Sequence, residues 1–154
     1  MKKNHLLAIV AGGLLLAGTA SAQEKKIKRS DLPPAVEKTV AAESEGATIR
    51  AFSTEKEKGQ TFYEAEMIVN GHSKDVLIAA DGTVVEIEEQ VAPGSLSAEV
   101  KAGLQAKAGK GKIVKIESLT KKGKLVAYEA QVETNGKKSE VQVGPDGKPL
   151  VHEE

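Results

Sequence analysis

Only a few residues of this sequence have types that could support catalysis or metal binding, and their spacing argues against both. Cysteine is absent, which excludes a thiolate nucleophile, thiolate zinc ligands and disulfide bonds. After the first 22 residues the histidines are His72 and His152, which lack the short spacing of paired metal ligands. We therefore predict no metal site and no cofactor.

Carboxylates are frequent, and many alternate with apolar residues, as they do on the exposed face of a strand. Glu64, Glu86 and Glu88 are examples, and surrounding water is expected to leave the pKa of each close to its ordinary value. Such a pattern implies no acid–base pair. The chain is therefore predicted not to be an enzyme and to have no catalytic residues.

A basic, glycine-rich segment over 107–112 is similar in composition to a phosphate-binding loop. Such a loop lies between a strand and a helix, and Ser or Thr follows its lysine. Here a predicted helix precedes the segment, and Gly111 follows Lys110. Nucleotide binding is therefore not predicted.

The composition is that of a globular chain with an aliphatic core. Hydrophobic residues make up 40% of the sequence, charged residues 29% and aromatic residues 3%, and tryptophan is absent. So few aromatic side chains leave no surface on which nucleic-acid bases could stack. Nucleic acid is therefore not expected among the partners.

The N-terminal region has the order of features of an export signal. Two lysines precede an apolar run from Leu6 to Ala17, and the small residues Ala20-Ser21-Ala22 follow. We predict a signal peptide over 1–22 with cleavage after Ala22. The alternative is a membrane anchor, but the apolar run is shorter than the ~20 residues that a spanning helix needs. The mature protein is expected in the periplasm or outside the cell, with no membrane span.

An internal repeat organises the rest of the chain. The segment that begins at Leu32-Pro33-Pro34-Ala35-Val36 aligns with the one that begins at Leu96-Ser97-Ala98-Glu99-Val100 at a shift of 64 residues. One extra residue then changes the shift to 65, at which Tyr63-Glu64-Ala65 aligns with Tyr128-Glu129-Ala130. This pattern predicts two copies of one unit.

We divide the chain on this basis. Repeat 1 covers 31–90, a linker covers 91–95, and repeat 2 covers 96–154. A basic lead-in over 23–30 precedes them and is expected to be a disordered spacer.

Each repeat is predicted to be a helix followed by an antiparallel meander of about four strands. Asp31 can cap the first helix, on which Val36 and Val40 share one face, and Ser95 or Ser97 can cap the second. A helix packed on one face of each sheet makes the predicted fold α+β.

Turn residues divide the predicted strands. Alternation over 61–70 ends at Asn70-Gly71, a pair suited to a type I′ hairpin turn because both positions need positive φ. Asn135-Gly136 repeats this turn in repeat 2, and Asp81-Gly82 is predicted as the next turn of repeat 1.

Together these motifs resemble the PepSY-like family. The resemblance is carried by Leu32-Pro33 at the helix start, Gly46-Ala47-Thr48-Ile49 at the entry to the first strand, the Tyr63-Glu64-Ala65 strand and the Asp81-Gly82 hairpin. Repeat 2 departs from the pattern with Ser97 in place of the first proline. The resemblance covers essentially all of the mature chain.

The resemblance implies an architecture similar to that of the tandem-repeat beta-lactamase inhibitory protein. It also implies an exported, non-catalytic module, and relatives in peptidase propeptides imply that such a module restrains an enzyme. No binding residues are carried over, because the matched positions are turns and core residues.

Charge is unevenly distributed between the two halves of the sequence. Residues 31–93 hold 5 basic and 13 acidic groups, a net charge of −8, whereas 94–154 hold 11 basic and 8 acidic groups, a net charge of +3. The halves are therefore expected to attract each other if they touch, since salt screens charges beyond about 8 Å.

The repeats also differ on the sheet face that points away from the helix. Strand parity directs Phe62, Ile68, Leu77 and Val84 to that face in repeat 1. An apolar patch among acidic neighbours is typical of a docking surface, so these residues are predicted to bind a partner. Their counterparts in repeat 2 are Ala127, Glu133, Gln142 and Pro149.

Two hypotheses for this patch stay open. In the first, the chain is an exported, non-enzymatic module that binds another protein, such as an envelope or secreted enzyme that it inhibits. In the second, it is a structural or envelope-stability protein whose apolar face joins the two repeats or a homodimer. A carrier of a small ligand or cation is less favoured, because no calcium-loop spacing is present.

Overall fold

The computed structural model describes residues 24–57, 59–152 and 154. The predicted signal peptide and its cleavage site lie outside these residues. The described residues form an α+β fold in which one antiparallel, eight-stranded sheet carries two α-helices. Each strand pairs with its neighbours in sequence, so the sheet is a continuous meander.

The elements follow one another with short connections, and each α-helix precedes a run of strands. Short 3₁₀ turns lie at Arg29–Asp31 and Pro93–Ser95. The helices are α1 (Pro34–Glu43) and α2 (Ala98–Ala108). The strands are β1 (Lys25–Ile27), β2 (Thr48–Glu57), β3 (Gln60–Val69), β4 (His72–Ala79), β5 (Val84–Gln90), β6 (Lys112–Lys121), β7 (Lys124–Thr134) and β8 (Lys137–Val143).

The two helices begin differently. The Ser97 hydroxyl accepts a hydrogen bond from the Val100 N–H at 3.2 Å and caps α2, as predicted. The prediction that Asp31 caps α1 was wrong, because its carboxylate accepts from the Lys28 N–H at 2.9 Å and closes the preceding 3₁₀ turn. Helix α1 instead begins at Pro34, whose fixed φ suits a first helical turn and whose missing N–H costs nothing there.

The predicted hairpin turns have the expected backbone. Asn70 has a φ of 51° and Gly71 a φ of 85°, while Asn135 and Gly136 have φ values of 52° and 76°. Asn and Gly tolerate this left-handed region at little cost. These turns therefore connect β3 to β4 and β7 to β8 as tight hairpins.

Both helices pack on the same side of the sheet, each over its own hydrophobic core. Strand pairing links Met67 of the first core, strand by strand, to Tyr128, which packs against the second core. The two cores therefore lie on the same side of the sheet. The first core is built from Leu32, Val36, Val40, Phe52, Ala65, Met67, Val76 and Ile78, and the second from Leu96, Val100, Leu104, Ile116, Ala130, Val132 and Val143.

The two halves of the chain, 31–90 and 96–154, join edge to edge. Residues Glu86–Gln90 of β5 pair with Glu117–Lys121 of β6. The hypothesis that an apolar sheet face joins the two repeats was therefore wrong, because backbone pairing between two strand edges makes this connection. A homodimer remains a hypothesis.

The predicted disordered lead-in was also wrong for part of its length. Lys25–Ile27 form β1, which pairs with 52–54 of β2. Ile27 packs against the first core, and this apolar contact explains why a mostly basic segment lies on the sheet edge.

The second half has fewer strands than the first. Three strands, β6 to β8, follow α2, and 144–152 and 154 contain no strand. Pro149 stands at the sequence position that corresponds to Val84, where β5 begins in the first half. Proline cannot donate a ladder hydrogen bond, which explains why no equivalent strand forms there.

Candidate functional site

The sheet face opposite α1 and α2 is covered by no described helix or strand, and we call it the open face. Strand register identifies its side chains. One row contains Ser53, Glu64, Leu77, Glu86 and Lys121, and the next contains Glu66, Asp75, Glu88, Leu119 and Ala127.

The structure places three of the four predicted patch residues on this face. Phe62 and Ile68 have the parity of Glu64 on β3, and Leu77 lies opposite Glu64 on β4. All three are partly buried. Phe62 lies opposite Glu55, and Leu77 lies between Glu64 and Glu86. The predicted apolar patch among acidic neighbours is therefore only partly exposed in the structure.

Val84, the fourth predicted residue, lies on the other side of the sheet. It is paired with Ile78 and packs against the first core beneath α1. A register shift between Leu77 and Ile78 changes the parity of the β4–β5 pair. The prediction that Val84 faces outward was wrong because an irregularity of this kind reverses side-chain direction.

Carboxylates dominate the part of the open face formed by β2 to β5. Among the described residues paired at these positions, none is lysine or arginine. The acidic residues are Glu55, Glu57, Glu64, Glu66, Asp75, Glu86 and Glu88.

Some of these carboxylates are very close together. Oxygen atoms of Asp75, Glu88 and Glu117 lie within 4.8 Å of one another, so the group spans β4, β5 and β6. A cleft of about 40 Å³ lies beside them. It is lined by Glu55, Glu57, Glu64, Asp75, Leu77, Glu86 and Glu88.

This crowding favours the protonated carboxyl groups. Burial, reinforced by the charge of Glu129, raises the pKa of Glu88 to about 9. Burial and the charge of Glu64 raise the pKa of Asp75 to about 7, although Lys115 opposes the rise. Burial also raises the pKa of Glu129 to about 7, against the hydrogen bond from Gln142.

The predicted ordinary pKa values were therefore wrong for Glu64, Glu86 and Glu88, all of which are raised by burial. Alternation along a strand indicates which face a residue occupies, but not which residues lie beside it on neighbouring strands. The only sequence signal was the high acidic count of 31–93, which did not locate the cluster.

Polar neighbours stabilise some of the carboxylates. The Ser53 hydroxyl donates to Glu64 at 2.7 Å, and the Gln142 amide donates to Glu129 at 2.8 Å. Each bond lowers the pKa of its carboxyl group, but less than burial raises it.

Two lysines of β6, in the second half, contact carboxylates of the open face. The Lys115 ammonium lies 2.5 Å from Glu117, which is 3% exposed and also accepts from the Ser73 hydroxyl at 3.3 Å. Lys121 lies 3.6 Å from both Glu86 and Glu154. The two lysines therefore balance the side of the cluster nearest β6.

We assign no metal ligands to these carboxylates. Crowded acidic groups also occur around Glu24, Glu64 and Glu66, yet such groups are common on acidic surfaces. Neither His72 nor His152, both exposed, belongs to a group of this kind. The absence of a metal and of a cofactor stays a prediction.

The arrangement can hold protons and bind positive charge. A carboxyl group that keeps its proton near neutral pH is also what general acid catalysis requires. Pockets that bind small molecules usually measure roughly 300–1,000 Å³, however, and the cleft here has about 40 Å³. A contact with one projecting side chain suits this space better than an enclosed substrate.

No protein-family model matches the chain, and no curated protein matches it in sequence. Solved structures do. A protein from Bacteroides eggerthii that is described as periplasmic superposes with a TM-score of 0.63 at 18% identity, over 77% of this chain and 86% of that one. A DUF2874 family protein from Bacteroides ovatus has a TM-score of 0.60 at 18% identity, over 78% and 86%.

A third similar structure is a BLIP-like protein from Bacteroides fragilis, with a TM-score of 0.56 at 19% identity, over 77% of this chain and 83% of that one. The predicted likeness to the architecture of the beta-lactamase inhibitory protein is confirmed at this level. Identities this low establish a shared fold and nothing about activity. The PepSY-like resemblance stays a prediction.

Among the residues that the structure describes, no helix combines the length and hydrophobicity needed to cross a bilayer.

Proposed function

We propose that this protein is an exported, non-enzymatic module that binds a protein partner on the open face of its first half. One observation carries the proposal: both helices cover one side of the sheet, while the other side has no helix or strand of the described chain over it. An uncovered, partly apolar face of this kind is typical of an interaction surface.

The chemistry of the face supports a basic partner surface with some apolar area. Phe62, Ile68 and Leu77 supply partly buried apolar contacts, and carboxylates of β2 to β5 lie on the same face. Complementary potentials speed association and disfavour wrong partners. Anionic partners such as nucleic acids or acidic lipid surfaces are disfavoured by the same charges.

The similar structures support the proposed setting. One is BLIP-like, and another is described as periplasmic. We extend both to this chain as proposals: export to the periplasm or beyond, and restraint of an envelope or secreted enzyme. The small volume of the acidic cleft supports the non-enzymatic part.

Capture of the partner by the mature protein tests this proposal. Ile68→Glu introduces on β3 the residue type of its counterpart Glu133, and we expect capture to fall at least tenfold. The stability cost is expected to stay within about 1 kcal/mol, because a partly exposed position tolerates a charge. Ala41→Glu is the matched control, since Ala41 is exposed on α1 and receives the same new charge.

Equal capture by wild type, Ile68→Glu and Ala41→Glu would contradict the proposal. The homodimer hypothesis makes a different prediction, namely a concentration-dependent dimer that Ile68→Glu dissociates. We expect a monomer by sedimentation, because two acidic faces repel each other.

A further inference from the structure

The seam between the two halves is the pairing of β5 with β6. Each half has a separate helix-side core, so the strand pairing of Glu86–Gln90 with Glu117–Lys121 carries much of the connection. Backbone bonds from the Lys122 N–H to the Val85 oxygen at 3.1 Å and from the Val91 N–H to the Ile116 oxygen at 2.9 Å extend it at both ends.

Three of the six side chains that face each other across this seam on the open face are acidic. Glu88 lies opposite Asp75 on β4 and opposite Leu119 on β6. Leu119 is 2% exposed, so one neighbour of the Glu88 carboxylate is a buried aliphatic side chain. This position therefore offers Glu88 little water and no cation directly across the seam.

The charged groups that act on the carboxylates of this region come from strands β2 to β8 and from the C-terminal residue. The cations among them are Lys115 and Lys121. The acidic groups are Glu55 on β2, Glu64 and Glu66 on β3, Asp75 on β4, Glu86 on β5, Glu117 on β6, Glu129 on β7, Glu140 on β8, and Glu154.

Carboxylates held this close cannot all ionise without strong repulsion, and such groups hold protons in common. The two lysines are already engaged with Glu117 and Glu86. Asp75, Glu88 and Glu129 are among the groups of the cluster for which the described residues provide no ammonium partner within 4.0 Å.

We propose that this seam is a proton-dependent joint: protons bound by Asp75, Glu88 and Glu129 stabilise the contact between the two halves, and their release weakens it. The proposal does not depend on a partner, so it stands or falls separately from the proposed function.

The direction of the effect follows from proton linkage. The folded pKa values of these groups, about 7 for Asp75 and Glu129 and about 9 for Glu88, lie above those of an unfolded chain. The folded protein consequently binds more protons than the unfolded chain between about pH 4.5 and pH 9. Stability must fall as the pH rises through this window.

Other carboxylates limit the effect on the acid side. Hydrogen bonds lower the pKa values of Asp81, Glu99 and Asp146, so their contribution is lost when the pH falls through these depressed values. The greatest stability is therefore expected near pH 4.5, with a steady decrease above it.

Thermal unfolding of the mature chain at two pH values, with a chelator present, measures how the stability of the joint depends on pH. We expect the unfolding midpoint of the wild type to be about 10 °C higher at pH 5.5 than at pH 8.5. Glu88→Gln keeps the side-chain shape without the titration and is expected to raise the midpoint at pH 8.5 and to reduce the pH difference by about half. Glu89→Gln is the matched control, since Glu89 is the next residue of β5 and is exposed.

Hydrogen exchange locates the effect. After correction for intrinsic rates, protection of the amides in 86–90 and 117–121 is expected to fall at least tenfold between pH 5.5 and 8.5, and more than protection of β2 and β3. A flat wild-type pH profile, equal slopes for wild type and Glu88→Gln, or the same loss of protection in all strands would overturn the proposal.

Discussion

The open face is acidic in the first half of the molecule and mixed in charge in the second, although the strands beneath it are alike. Glu57 of the first half corresponds in the sequence alignment to Lys121, Glu66 to Gln131, and Glu55 to the buried Leu119. Both sets of side chains lie on the first two strands that follow each helix, β2 and β3 after α1 and β6 and β7 after α2. The acidic character of the first half is therefore not required to form the sheet, which is why we attribute it to binding and proton uptake.

The helix-covered side differs between the halves in a second way. In the first half the Thr39 hydroxyl of α1 donates to the Gly82 carbonyl at 2.7 Å. The sequence counterparts of these residues are Gly103 and Gly147, and a Cβ added at Gly103 would overlap the carbonyl oxygen of Gly147. One half thus uses a hydrogen bond where the other uses close backbone contact.

The largest expected effect comes from giving the second half an acidic residue of the first. Leu119→Glu removes a buried aliphatic side chain and places another carboxylate beside Glu88, which is expected to cost about 4 kcal/mol at pH 8. The loss should be smaller at pH 5.5, where the new group can be protonated. Denaturant unfolding at the two pH values measures both.

The reverse exchange, Glu55→Leu, is the control for Leu119→Glu. It removes a carboxyl group whose pKa is raised by burial and by Glu57, so stability at pH 8 is expected to rise. A loss of stability in Glu55→Leu would mean that the first half needs its charges to fold.

A smaller effect is expected from the close contact of α2. Gly103→Ala is expected to destabilise by about 2–3 kcal/mol, because the overlap with Gly147 exceeds the gain of about 1 kcal/mol in helix propensity. In the first half, Thr39→Ala removes one hydrogen bond and is expected to cost about 1 kcal/mol. Equal unfolding midpoints for the two variants would show that the two helices do not differ as described.

The smallest effect concerns the cation that the second half contributes. Lys121→Gln removes contacts of 3.6 Å with Glu86 and Glu154, and ion pairs of this kind contribute about 0–1 kcal/mol. Because Lys121 lowers the pKa of Glu86, the loss should grow above neutral pH. Unfolding at pH 6 and pH 8.5, each at low and high salt, checks this expectation, and a loss unaffected by pH would contradict it.

Local patterns in the sequence were sufficient for much of the framework. Val36 and Val40 at helical spacing predicted the buried side of α1, and both residues are at most 1% exposed. Asn70-Gly71 and Asn135-Gly136 predicted two hairpins, because few other pairs tolerate positive φ at both positions. Such features depend on neighbours in sequence, so they can be predicted without the fold.

The candidate site could be predicted only in part. Parity correctly placed Phe62, Ile68 and Leu77 on one face, since side chains of a regular strand alternate. It failed at Val84, because the register shift after Leu77 depends on how β4 and β5 pair. A register shift is a property of how two strands pair, so it cannot be read from the alternation of apolar and polar residues in either strand.

The sequence by itself determined the helices, the hairpins and the unequal charge of the two halves. The tertiary structure alone decided that β5 pairs with β6 to make one sheet, and that Asp75, Glu88 and Glu117 bring their carboxylates within 4.8 Å. The physical reason is range: turn and helix preferences act over a few residues, whereas these contacts join residues far apart in the chain through strand register. The proton-binding joint therefore exists only in the folded protein.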